Sequence, residues 1–229
     1  MPAASPRVTV QIGKFKLNRL AQRLLQFIFI GIIVWVMYLA PPLKYWPMWV
    51  SAFGWIAFSN YWALTAKNAG AAKSSESAKS RGLHELLMNA GLLLLFIPVP
   101  GLRRSFVFAS AAWVPIGLAM QASFIALAVW ARRHLGRNWS ARIEIKMEHA
   151  LVRTGPYRLL RHPIYTAMLG MCLGTTLVDG HLHALVGLAM VMFAYGRKIR
   201  LEEAKLREAF PAEYDQYRRD TWALVPGLF

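Results

Sequence analysis

Uncharged apolar runs alternate with short basic segments along this chain. Leu24–Ala40, Trp46–Ala66, Leu86–Leu102 and Ser105–Ala131 contain no Asp, Glu, Lys or Arg. Each is long enough to approach or exceed the roughly 17–25 apolar residues that carry a helix across a bilayer. Two shorter uncharged runs follow, Pro163–Val178 and Ala184–Gly196. They are read as one helical hairpin completed by polar flanks or tilt. The pattern therefore predicts an all-α fold, a polytopic membrane helical bundle of about six transmembrane helices with a cytoplasmic C-terminal helical region.

The polar segments set the expected organisation. Residues 1–23 form a cytoplasmic lead-in in which Val8, Val10, Ile12 and Phe15 alternate with polar positions but lack an evident partner. Residues 24–66 form an N-terminal transmembrane hairpin turning at Pro41–Pro47. Residues 67–82 are a cytoplasmic linker whose core, GAAKSSESAKSR, has the small polar composition of flexible chain. Residues 83–229 form the C-terminal unit. Beyond Gly196 the sequence RKIRLEEAKLREAF interleaves apolar and charged positions, as expected of a helix that leaves the membrane and continues in the cytoplasm. Pro211 suits the first turn of a further short helix. Phe210, Tyr214 and Tyr217 would share one face.

Charge refines this reading. The net charge of +16 comes from 27 Lys and Arg against 11 Asp and Glu. All the basic residues except Lys44, Arg103 and Arg104 fall in segments that share one side if the N-terminus is inside. This positive-inside asymmetry predicts an integral membrane protein with both termini cytoplasmic, in the plasma (inner) membrane if the protein is bacterial. The basic excess then serves topology and contact with anionic membrane lipids, not nucleic acid. Cys172 is the only cysteine, which excludes a disulfide framework. Pro41-Pro42 after the first run is no cleavage site, so that run is read as a retained span. Glu85 and Asp179 lie at span ends, with nothing acidic at mid-bilayer depth, which argues against a transporter.

Four polar groups could carry chemistry. His162-Pro163 opens a helix whose N-terminus favours an anion; His162 is a cap or a ligand contact there, and Tyr165 lies one turn in, with Arg158 and Arg161 adding charge. The alternative is an ordinary helix start flanked by topogenic arginines. The segment His149–Val152 is followed by Gly155-Pro156, a turn that can aim Tyr157 toward His162; the alternative is a packed interfacial loop. Glu202-Glu203 offers a carboxylate for paired hydroxyls such as a ribose diol. The alternative is two surface ion pairs with Lys198 and Arg207. Asp179, His181 and His183 have a spacing that can hold a metal, but they fall in a short far-side turn, and no metal site is assigned.

Together these motifs resemble the isoprenylcysteine carboxyl methyltransferase family of integral membrane enzymes. The resemblance runs from about Leu135 to Phe229. It rests on His149–Val152, Gly155–Tyr157, Arg161–Tyr165 and Glu202-Glu203 in that order, closed by Phe210, Tyr214, Tyr217 and Val225-Pro226. It implies S-adenosylmethionine as cofactor, bound within 135–229 by Arg142, His149, Ala150, Leu151, Val152, Tyr157, His162, Pro163, Ile164, Tyr165, Glu202 and Glu203. The family places an arginine one turn before the Glu-Glu pair to hold the substrate carboxylate. This chain has Lys198 there, flanked by Arg197 and Arg200, and these three are the expected catalytic group. The implied partner is a lipophilic or lipid-modified acceptor, methylated on a carboxylate. A phospholipid-type N-methyltransferase, a membrane reductase using a nicotinamide cofactor and a non-enzymatic scaffold are the competing expectations.

Overall fold

A computed structural model of the chain describes residues 10–12, 15–17, 31, 46–65, 77–106, 112–136 and 151–227. The chain divides into two compact units, Met1–Lys44 and Tyr45–Phe229. In the first, β1 (Val10–Ile12) and β2 (Phe15–Leu17) pair antiparallel in the register Val10↔Leu17, Gln11↔Lys16 and Ile12↔Phe15. The alternating lead-in thus finds its partner in itself, a small departure from an all-helical chain. The first predicted span, Leu24–Ala40, lies outside the described residues apart from Gly31.

The second unit is helical: α1 (Trp46–Thr65), α2 (Ala78–Leu94), α3 (Trp113–Leu135), α4 (Pro163–Asp179), α5 (Leu182–Ala209) and α6 (Pro211–Asp220), with a 3-10 turn at Gly155–Arg158. Among the described residues, α3 and α5 are the two helices long and apolar enough to cross a membrane. The boundaries follow local chemistry. Ser77 caps α2 by accepting a bond from the Ser80 backbone N–H at 3.3 Å, so the end of the expected linker is already helical. The expected span to Leu102 stops at Leu94, ahead of Pro98, Pro100 and Gly101, which cannot extend a helix. Pro163 and Pro211 occupy first helical turns, where the missing N–H costs nothing. Gly180 ends α4 in the left-handed conformation (φ 73°) and lets the chain reverse into α5. The predicted 163–196 hairpin is therefore present, and α5 continues well past Gly196.

Helix α3 packs on α4, α2 on α5, and α1 on both α3 and α4. Two glycine pairs set the close approaches. A Cβ at Gly117 or Gly174 would stand 2.6 Å from the other's carbonyl oxygen, and Gly91 and Gly187 are matched in the same way. Small residues at such crossings let backbones touch where apolar burial alone does not drive helices together. Polar contacts reinforce the α1–α3–α4 junction. Trp55 Nε1 donates to Thr175 Oγ1 at 2.9 Å, the Ser51 and Thr175 hydroxyls bond at 3.0 Å, and Gln121 Nε2 donates to the Ser51 carbonyl at 2.9 Å. All are buried, so each polar group meets a partner where water is excluded.

Candidate active site

The site is built where α4 begins. The approach runs through the turn Gly155–Arg158. Gly155 has φ 59°, and a Cβ there would sit 2.4 Å from the His134 ring nitrogen Nε2, so only glycine lets this loop lie on the end of α3. Tyr157 is thereby buried with Ala131 and Ile164, and Val152 and Tyr165 pack around them. Burial holds the Tyr157 phenol well above its usual range, so it stays neutral.

The C-terminal segment then clamps this approach. The Arg161 N–H donates to the Trp222 carbonyl at 2.8 Å, Trp222 N–H to Leu159 at 3.1 Å, and His162 N–H to Ala223 at 3.1 Å. Thr166 Oγ1 donates to the Leu224 carbonyl at 2.7 Å, and the Tyr217 hydroxyl to the Tyr157 carbonyl at 2.6 Å. Arg153 reaches α6 through both the backbone and the carboxylate of Glu213. The expected shared face of α6 exists: Tyr214 and Tyr217 are buried against each other, while Phe210 stands at the break between α5 and α6.

The polar extension of α5, beyond Gly196, brings two adjacent carboxylates to this clamp, and they differ. Glu203 Oε1 accepts from Arg161 Nε at 2.8 Å and from His162 Nε2 at 3.3 Å, and Arg218 Nε lies 3.4 Å from its other oxygen. Arg161 also donates to the carbonyls of Arg218 and Thr221. Burial alone would raise the Glu203 carboxyl, but the hydrogen bonds and charges of His162 and Arg161 prevail and bring it down to about 2. Glu203 is thus a structural anion joining three elements. Glu202 is the more accessible carboxylate, its side chain 31% exposed against 13% for Glu203. Its Oε2 accepts a 2.6 Å bond from the Tyr165 hydroxyl, and His162 Nδ1 stands 3.9 Å away. The Tyr165 ring stacks on His162 (5.4 Å, 8°), leans on Tyr195 at 4.8 Å, and carries Lys198 Nζ 5.5 Å from its centre. The result is a carboxylate at the edge of an aromatic wall, with a cation on that wall.

Most of the residues singled out in the sequence meet here. Tyr157, His162, Pro163, Ile164 and Tyr165 form the start of α4 and its approach; Leu151 and Val152 are half-buried just before them. Arg142, His149 and Ala150 lie outside the described residues. His162 makes no side-chain cap; its ring faces the glutamates instead. The cationic trio separates. Lys198 joins the aromatic wall, Arg197 donates to the carbonyl and hydroxyl of Ser80 on α2, and Arg200 is exposed. Glu203 pairs across the fold, and Arg207 bonds Asp215 at 3.1 Å, so both partners of the helical pair suggested for Glu203 and Arg207 take tertiary partners. Arg218 and Tyr195 escape a reading by motif. Only Arg161, inside the Arg-His-Pro box, carried a local signal.

The model of the isoprenylcysteine carboxyl methyltransferase (ICMT) family matches residues 116–208, which hold α4 and both glutamates. The cobalt-zinc-cadmium resistance protein CzcN of Cupriavidus metallidurans is 30% identical over 68% of this chain and 72% of its own length. The chain belongs to the isoprenylcysteine carboxyl methyltransferase family. A further relative in that family's range of names, the protein-S-isoprenylcysteine O-methyltransferase of Saccharomyces cerevisiae, is 33% identical over 41% of this chain and 40% of its own length. The nickel-cobalt-cadmium resistance protein NccN of Alcaligenes xylosoxydans xylosoxydans is 38% identical over 41% and 45%. The chain spans under half the length of the isoprenylcysteine methyltransferases it matches. The solved eukaryotic intramembrane Ras methyltransferase ICMT overlaps 93% of this chain and 88% of its own at 17% identity and a TM-score of 0.47, too loose a likeness to carry residue positions across.

Proposed function

We propose that this protein transfers a methyl group from S-adenosylmethionine to a lipophilic acceptor at the membrane–cytoplasm interface, the acceptor being a carboxylate of the isoprenylcysteine type. Membership of the family supports the reaction class. The observation that carries the site is the meeting of Glu202 with the His162–Tyr165 stack through the 2.6 Å Tyr165 hydrogen bond. The same reading keeps about six spans, a 24–66 hairpin and the spans of 83–229, with both termini cytoplasmic in the plasma membrane.

The residues present suit the cofactor. A partly exposed carboxylate, oriented by Tyr165 at one oxygen, is a natural acceptor for a ribose diol. Aromatic faces beside it can meet an adenine ring or a cationic sulfur. Glu202, His162, Tyr165 and Tyr157 would hold the group, with Leu151, Val152, Pro163 and Ile164 as apolar lining. Arg142, His149 and Ala150 complete the proposed set from outside the described residues, and Glu203 supports it from behind. When bound, the cofactor supplies a methyl group already activated on a sulfonium.

The chain then has to align, exclude water and bind the acceptor. The buried 3-10 turn and the C-terminal clamp hold the cofactor side rigid. Lys198, on the aromatic wall, provides positive charge for an acceptor anion at the membrane surface, exposed Arg200 adds to it, and Arg197 acts from behind through its bonds to Ser80. A carboxylate is already ionised near neutral pH, so no general base is required. Lysine supplies charge without the bidentate fork of arginine, so acceptor binding through Lys198 should be more tolerant of acceptor shape.

Calorimetry of the detergent-purified protein with S-adenosylhomocysteine tests the cofactor. Binding by the wild type, weakened more than about tenfold in Glu202→Gln and His162→Ala, is the expected result. Tight binding of a reduced nicotinamide dinucleotide, with none of S-adenosylhomocysteine, would replace this reading by the reductase one. Radiolabelled methyl transfer into lipid extracts and prenylcysteine analogues identifies the acceptor.

A further inference from the structure

The far end of the α4–α5 hairpin holds a second cluster of histidines and a carboxylate, which methyl transfer does not use. Asp179 closes α4, His181 lies in the turn, and His183 begins α5. Asp179 Oδ2 stands 3.3 Å from His181 Nδ1 and 3.3 Å from His183 Nε2. All three donor atoms lie within 4.8 Å of one another. We propose that Asp179, His181 and His183 form a binding site for a divalent transition metal of the zinc class.

Three observations carry this beyond spacing. The first is the orientation of His183, which is buried, with its side chain 2% exposed. Its Nδ1 lies 2.8 Å from the Leu94 carbonyl, which can only accept, so Nδ1 donates there and Nε2 is the ring atom turned toward Asp179. A backbone carbonyl behind the ring is how metal-ligating imidazoles are held in one tautomer. The second is His181 Nδ1. It is sealed from solvent and stands 3.3 Å from the same carboxylate oxygen, while the His181 side chain as a whole is 41% exposed.

The third is dimension. Two bonds of about 2.05 Å meeting at a tetrahedral angle span about 3.3 Å, and that is the separation of each nitrogen from Oδ2. With the widest pair no more than 4.8 Å apart, a point roughly 2.4 Å or less from all three atoms exists, and a small swing of the partly exposed His181 ring shortens that to about 2.0–2.2 Å. Three protein ligands leave a fourth position toward solvent, on the exposed side of His181.

The frame is prepared as well. Residues 102–106 wrap the turn: His183 N–H donates to the Leu102 carbonyl at 3.1 Å, Leu182 N–H to Arg104 at 3.1 Å, and Phe106 N–H to the Gly180 carbonyl at 3.0 Å. Ser105 Oγ donates to Gly180 at 3.1 Å, and His181 N–H donates to Asp179 Oδ2 at 3.1 Å, fixing the carboxylate. The Arg103 and Arg104 side chains are exposed. Two imidazoles and one carboxylate suit borderline ions such as Zn2+, Co2+ and Ni2+, and suit Ca2+ or Mg2+ poorly. The 17 residues of α4 put this cluster roughly 25 Å from the glutamates, so a metal here would brace the hairpin's far end and take no part in methyl transfer.

Cobalt is the probe, because a bound Co2+ reports ligand number by its visible spectrum. The full-length protein, purified in detergent through a tag without histidine, is titrated with CoCl2 and, separately, equilibrated with ZnSO4 and dialysed. The expected result is one Zn2+ per chain and a four-coordinate Co2+ spectrum that excess Zn2+ removes. Asp179→Asn and His181→Ala should each cut retained Zn2+ at least tenfold, while S-adenosylhomocysteine binding persists. His181→Ala serves because its partly exposed ring can be lost without opening the core, whereas His183→Ala can fail to fold. Wild-type protein that binds neither ion would leave the trio as a histidine–carboxylate ion pair and overturn the proposal. Equal metal retention by wild type and both variants would overturn it too, by placing the ion at other histidines.

Discussion

The two ends of the α4–α5 hairpin use the same residue types to opposite effect. At the glutamate end, Glu203 meets His162, Arg161 and Arg218, so its charge is neutralised by two guanidiniums, one before α4 and one on α6. At the far end, Asp179 meets His181 and His183 and no guanidinium among the described residues. A carboxylate held by arginines is complete within the protein. One faced by imidazole nitrogens is complete only if the rings are protonated or a cation joins them. The glutamate end therefore spends one glutamate on architecture and leaves its neighbour, Glu202, partly exposed. The far end presents its whole trio.

The largest expected effect that sharpens this contrast is Glu203→Gln. It leaves the Arg161 and Arg218 guanidiniums without their buried counter-charge, and stability should fall by about 3–5 kcal/mol. Thermal unfolding in detergent measures it, and Asp179→Asn in metal-free buffer, which keeps an amide oxygen for the His181 N–H and strands no guanidinium among the described residues, should cost less by the same method. Equal losses at the two ends would erase the distinction. The pH dependence follows the same logic. The Glu203 carboxyl is held at about 2 in the fold, below its unfolded value near 4.3. Its stabilising share is thus present above the unfolded value and is lost as pH falls from there toward about 2. Glu203→Gln should flatten that acid limb of the stability profile.

Next in size is Gly155→Ala, which combines a left-handed backbone with a collision at His134. A loss of roughly 2 kcal/mol is expected, with S-adenosylhomocysteine affinity falling as the Tyr157 turn shifts. Glu202→Gln should do the reverse of Glu203→Gln, changing stability by less than about 1 kcal/mol while removing cofactor-product binding. The smallest effect is expected of Tyr217→Phe. It deletes one hydrogen bond to the Tyr157 carbonyl and should cost about 1 kcal/mol, read as a modest drop in Tm with binding retained.

Much of this arrangement was legible in local sequence where the signal is itself local. Pro163 and Pro211 marked helix starts because their backbone restrictions act on their own residue and its neighbours. The Arg161–Tyr165 box and the Glu202-Glu203 pair were recognisable as motifs, and the fold brings them into contact. The separation of Arg197 from Lys198 was not legible. Adjacent helical residues point about 100° apart, and which one meets the site depends on where α2 and α4 lie: Ser80 takes Arg197, and the Tyr165 ring takes Lys198. The end of α2 at Leu94 shows another limit, since an uncharged run records hydropathy and not backbone continuity.

From the order of its residues alone, this chain commits to a helical membrane-type bundle, to basic segments between its apolar runs and to a methyltransferase family's motifs, because hydropathy, charge patterning and proline or glycine constraints all act over a few residues. Only the tertiary structure decided that Glu203 is a buried anchor while Glu202 faces outward, and that Asp179, His181 and His183 share one point in space. Those distinctions belong to partners distant in sequence — Arg218, Tyr165 and the Leu94 carbonyl — whose positions are set by how the helices pack.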